Sequence, residues 1–445
     1  MIGRVAWLLA RPDRQGFATI ALPVTAFAIV TALLSTVLGG AQMFWAWDDE
    51  YGATYQALAV VALVLLVVPL ASLGGAAARL SARRRDDRLA TLRLLGATSS
   101  TVSALAVIEA GALALAGAAV GVALYVTFVP ALALIPFRGQ ALGVEGVWLG
   151  ASVAFVPLGV TALAIVSAVL GLRRVVISPL GVRTRQEVPR VHWVRLMIGA
   201  AVIVLAFGMM ALLQVAGSLI VILAMLAAAF GGTIAVLNLM GPWVLRLVAS
   251  GQARRAKAPA RLLAARTVLE SPKAAWRQVS GVAMTSFMAV FAGSGVAVLQ
   301  AMSASDGDRE SVLLLADIRT GLLITVVGSF LMVACSVGVN QAAGILDRRD
   351  LYRSLDMLGM PRSTMDAARR RAVMSPLRIT AVGSAVAAAA VMLPLTGIAL
   401  IVAPVSLLVI AAVLAAGIGV VWLGLRATRP MLERAADGPS RAVVA

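Results

Sequence analysis

Few side chains in this sequence could take part in chemistry, and their spacing excludes most of it. The chain has one histidine, His192, and one cysteine, Cys335, so neither a histidine-cluster metal site nor an intrachain disulfide can form. Its only lysines are Lys257 and Lys273. Neither follows a glycine, which removes a G-x-x-x-x-G-K phosphate-binding loop. No Ser/His/Asp set stands out, so no catalytic residue, metal ligand or cofactor site is expected in the chain. What remains is a carboxylate inside an apolar run, Glu109, and two charged segments that say the same thing.

Those segments are RRRDDRLATLRLLGATSSTV, residues 83–102, and LDRRDLYRSLDMLGMPRSTM, residues 346–365. With a shift of 263, Leu92 meets Leu355, Leu95 meets Leu358, Gly96 meets Gly359, and Ser100 and Thr101 meet Ser363 and Thr364. Leu89, Leu92 and Leu95 recur every three residues, as do Tyr352, Leu355 and Leu358, which predicts one apolar face on a two-turn helix. Gly96 and Gly359 stand where a helix ends in a positive-φ residue. The Ser and Thr that follow are placed to cap the next helix. Each segment therefore reads as a short helix, a sharp turn and a long apolar helix in mechanical series.

The elements that must position these segments are membrane spans. The chain is 61% hydrophobic and 13% charged, against about 25% charge in a soluble domain. Apolar runs near the roughly 20 residues needed for a crossing recur along it, and we place ten spans. They lie at about 17–42, 57–78, 102–130, 148–172, 196–214, 217–240, 278–302, 318–343, 373–395 and 398–425. The first run is longer than the core of a signal peptide and reads as a retained span. Residues 1–16 read as a basic amphipathic lead-in along the membrane surface, and 426–445 as a polar tail.

The net charge of +18 does not point to nucleic acid, because the bases sit in loops on one side. In the ten-span layout only Arg138, Arg309 and Arg319 of the 38 Lys/Arg fall on the other side. The positive-inside rule makes the basic side cytoplasmic, with both termini there. The Arg-, Ala-, Gly- and Val-rich composition fits a GC-rich bacterium, and the expected location is the bacterial cell membrane.

The duplicated segments fix the expected architecture. Spans 1–4 and 7–10 form two parallel four-helix repeats about an axis along the membrane normal, with spans 5–6 as a two-helix insert. The fold class is thus an all-α polytopic membrane protein. Its parts are a first repeat at 1–177, a connector with two spans at 178–258, a second repeat at 259–425 and a cytoplasmic tail at 426–445. No outer loop exceeds about 20 residues, too short for a folded outer domain.

DDRLATLRLLGATSSTV followed by IEAGALALAGAAVGVAL resembles the signature of the FtsX-like permease family, the membrane subunits of type VII ABC transporters. RLLAARTVLESPKAAWRQV, residues 261–279, resembles the lead-in before such a unit. The ten-span layout is similar to that of BceB-like members, without their large extracytoplasmic domain. The resemblance implies that the loop between the second and third helices of each unit carries a coupling helix that seats in a separate ATPase. By position it implicates Leu89, Leu92, Arg93, Leu95, Gly96 and Ala97 in the first unit. In the second it implicates Leu355, Met357, Leu358, Gly359 and Met360. ATP and Mg would be bound by the partner, two ATPase copies per permease chain, and the chain itself would not be an enzyme.

The expected task is export, or extraction from the membrane, of a lipophilic or amphipathic compound such as an antimicrobial peptide, drug or lipid. The alternative is mechanotransmission: ATPase motion passed to a cell-wall hydrolase or sensor kinase without solute transport.

Four further readings attach to single residues. Glu109 lies about seven residues into its span, roughly 10 Å deep, where an acid is costly; Arg370 and Arg371, beside its repeat equivalent Ala372, are its expected partners. Gly117 and Gly121 form a G-x-x-x-G that favours close helix packing. Trp45, Trp47, Tyr51 and Tyr55 read as an outer interfacial belt. Asn238, Asn340 and Gln341 are expected to bond to neighbouring helices.

Overall fold

The computed structural model describes residues 17–47, 51–66, 69–70, 73–74, 98–176, 193–212, 219–306 and 309–429. Apart from one two-residue hairpin, the regular structure among them is helical. The described chain falls into two compact units. The first holds the residues up to Glu187 together with Val339–Ala343, and the second holds the remainder.

In the first unit α1, Phe17–Gln42, packs along its length on α3, Ser99–Leu132. Glycine makes that approach possible. A Cβ on Gly117 would lie 2.6 Å from the Val24 carbonyl oxygen, and one on Gly121 would lie 2.5 Å from that of Ala28. Between them in sequence lies a shorter apolar helix, α2, Gly52–Leu66. Thr98 starts α3: its side chain accepts the Thr101 N–H at 3.3 Å. The cap expected of Ser100 or Thr101 is therefore made by Thr98, two residues before Ser100.

Beyond α3 the expected short loop is a β-hairpin, β1 Pro136–Phe137 and β2 Gln140–Ala141. Its two turn residues both have positive φ, Arg138 at +50° and Gly139 at +74°, the condition for a tight hairpin turn that follows strand twist. The Arg138 guanidinium lies 4.0 Å from the Trp47 ring centre and 4.8 Å from that of Tyr55. Phe44 and Phe137 complete this aromatic cluster. A single turn, α4 (Gly143–Val147), and then α5 (Phe155–Val176) close the unit. Tyr125 of α3 donates to the Val147 carbonyl and accepts from the Leu149 N–H, which fixes that corner.

The second unit opens with α6, Trp193–Leu212, and α7, Leu219–Arg254. A short helix α8, Pro259–Glu270, follows, with proline in its first turn where no N–H is needed. Next come α9, Pro272–Asp306, and α10, Arg309–Asp347. A nine-residue helix, α11 (Arg349–Met357), leads to α12, Arg362–Val391. The chain then forms α13, Leu393–Val402, and α14, Pro404–Ala427. α12 packs mainly on α9, the counterpart of the α1–α3 pairing, and its start at Arg362 lies 263 residues after that of α3 at Ser99. Phe287, Phe291, Ala388 and Val391 form a core where α9 meets α12. Trp276 packs on Gly241 and donates its indole N–H to the Asn238 amide oxygen at 3.1 Å, as expected for Asn238.

Eight helices among the described residues are long and apolar enough to cross a membrane. They match eight of the ten expected spans, and the outward apolar side chains they carry, such as Phe155, Leu158 and Leu408, suit lipid. Of the other two, span 2 is represented by the shorter α2, and its remainder lies largely outside the described residues. Span 5 corresponds to α6, a helix outside those eight.

Several boundaries differ: α7 runs on to Arg254 past the expected end near 240, and α12 begins at Arg362, ahead of the expected 373. The expected turn near 395–398 is replaced by α13, because Pro394 and Pro404 each begin a new helix instead of extending the last.

Candidate functional site

The second Leu-Gly segment is the described place where sequence and geometry converge. Tyr352 and Leu355 of α11 turn inward, and with Met360 they pack on buried Ile345 at the end of α10 and buried Met365 in the first turn of α12. The C-terminus of α11 closes as the sequence predicts. Gly359 has φ +80°; its N–H donates to the Asp356 carbonyl at 2.9 Å, and the Met360 N–H reaches back to the Leu355 carbonyl at 3.0 Å. These two bonds and the Leu355–Met360 contact make a Schellman closure. Arg362 Nε bonds Asp356 Oδ1 at 3.2 Å across the turn.

Tyr352, Leu355 and Leu358 do not share a face: each three-residue step falls about 60° short of a full turn of a 3.6-residue helix, so Leu358, the capping residue, stands about 120° round from Tyr352. Met357 is 81% exposed and Leu358 82%, with Leu351 at 51%. Of the five residues implicated here, Leu355 and Met360 thus hold the turn, Gly359 makes it, and Met357 and Leu358 form an exposed apolar tip. Leu89, Leu92, Arg93, Leu95, Gly96 and Ala97 lie outside the described residues, so the first segment is seen only from its capping residue Thr98 onwards.

Charged groups fasten this segment to its surroundings. Asp366 and Arg369 of α12 are both buried and paired at 2.9 Å. Arg369 also donates to the Thr428 hydroxyl at 2.6 Å and to the Leu425 carbonyl at 3.1 Å, at the end of α14. A buried guanidinium is tolerable because several acceptors surround it. Sequence reasoning passed over this network; its signal was Asp366 placed three and four residues before Arg369 and Arg370. Burial pushes the Tyr352 phenol above its ordinary pKa, while the nearby guanidinium groups of Arg369 and Arg348 oppose that rise. Arg348 also pairs with Glu270 at 3.3 Å, which joins the end of α8 to the start of α11.

Glu109 is exposed on α3, at the start of the candidate span Val107–Leu132. Arg370, one of its expected partners, is engaged by Asp366 of its own helix at 3.0 Å.

Comparison of the chain with known proteins returned no matching family model and no matching curated protein.

Proposed function

We propose that this chain is the membrane subunit of an ABC transporter, built on an FtsX-like plan of two parallel repeats and worked by separate ATPase subunits. The observation that carries the reading is the apolar tip at Met357 and Leu358. Two large apolar side chains stand in solvent on a short helix whose base is packed and ion-paired, and exposed apolar groups on a rigid mount suit docking into a protein cleft. Support for a repeat comes from the equal offset of the two Leu-Gly segments and of the helices that follow them. On this reading the first segment provides a second docking helix, so one chain engages two ATPase copies at the cytoplasmic face. The short outer connections favour a lipophilic or amphipathic compound, such as a peptide, drug or lipid, that enters from the bilayer or the cytosol.

The test is the double substitution Met357→Asp with Leu358→Asp, assayed with an ABC ATPase that co-purifies with the wild-type chain. Loss of a docking hot spot of about 2 kcal/mol predicts roughly 30-fold weaker association and loss of substrate-stimulated ATP hydrolysis. Unchanged association and hydrolysis would overturn the assignment. Leu355→Asp is the wrong probe, because Leu355 packs inward and its loss damages the turn itself.

A further inference from the structure

We infer that α8 and its flanks form a binding platform for the headgroups of anionic phospholipid in the membrane leaflet beside it. α8 lies between Arg254, the last residue of one candidate span, and Pro272, the first residue of the next, so both its ends are held at one membrane face. Ala260, Ala264, Ala265 and Val268 bury one side of the helix, which packs on α7 and α12. The remaining surface is basic. Arg254, Arg255, Lys257, Arg261, Arg266 and Lys273 are all exposed. The single acid in that stretch, Glu270, is engaged by Arg348. Leu262, 42% exposed between Arg261 and Arg266, adds one apolar side chain to this otherwise basic surface.

A helix that packs its small residues on its neighbours and turns its bases outward presents charge to the bilayer surface and inserts no apolar face into it. Arginine pairs with phosphate through two parallel N–H bonds, and clustered bases beside a span attract anionic lipid. An acidic protein would also suit the charge, but position favours lipid, since these bases sit where the spans leave the bilayer. The inference does not depend on an ATPase partner.

The test uses the full chain in nanodiscs made from equimolar phosphatidylcholine and phosphatidylglycerol, with co-purifying lipid measured by mass spectrometry. The wild type is expected to retain phosphatidylglycerol severalfold over phosphatidylcholine. The quadruple variant Lys257→Gln, Arg261→Gln, Arg266→Gln, Lys273→Gln should lose that preference. A charge-conserving variant, Arg261→Lys with Arg266→Lys, should keep most of it, which separates loss of charge from loss of fold. Equal retention of the two lipids by the wild type, or an unchanged preference in the quadruple variant, overturns the proposal. An unchanged lipid preference with loss of a co-purifying protein would assign the surface to that protein instead.

Discussion

Gly359 shows how much one residue settles here. At φ +80° an L side chain is strained by roughly 1–2 kcal/mol. Gly359→Ala should therefore raise the local opening of α11 by about 5- to 30-fold. Hydrogen exchange of the Tyr352 to Met357 amides measures this, and unchanged protection would remove the closure from the account. The conformation was legible in the sequence because glycine is the ordinary residue for a left-handed turn after a helix. The direction of Leu358 was not. A three-residue apolar rhythm drifts by about 60° per step round an α-helix, so its third member leaves the face that the first two share. The burial of Arg369 was equally hidden, since its acceptors Thr428 and Leu425 lie 59 and 56 residues away in the chain.

At the scale of elements, the long helices were readable because apolar length alone is sufficient to announce them. Their pairing depends on finer detail. The α1–α3 seam is close because Gly117 and Gly121 sit against backbone oxygens that cannot yield. Gly121→Ala forces a displacement there, and overpacking of this kind costs about 1–3 kcal/mol. The purified variant should unfold at a lower temperature. Gly40→Ala serves as the control, since a Cβ on Gly40 meets nothing within 4 Å. Equal melting of the two variants would mean the seam is looser than its geometry. The separate helix α13 was harder to anticipate, because Thr396 is the one polar side chain from 393 to 402 and only Pro394 and Pro404 mark the breaks.

For the whole molecule, the proposed orientation rests on where the bases fall. After Cys335→Ala removes the native thiol, Trp45→Cys should react with an impermeant reagent added outside intact cells. Thr91→Cys should react only once the membrane is opened; reaction of both from the same side would mean that the stretch between them does not cross. The described helices also have a dimension with mechanical meaning. α10 contains 39 residues and is therefore roughly 58 Å long, while the hydrocarbon layer is about 30 Å thick. A rod so much longer than its sleeve must lean or protrude, and α11 hangs from its end. A lean of about 5° swings one tip by roughly 5 Å relative to the other, so a modest shove on α11 becomes a displacement on the scale of a helical turn at the far side.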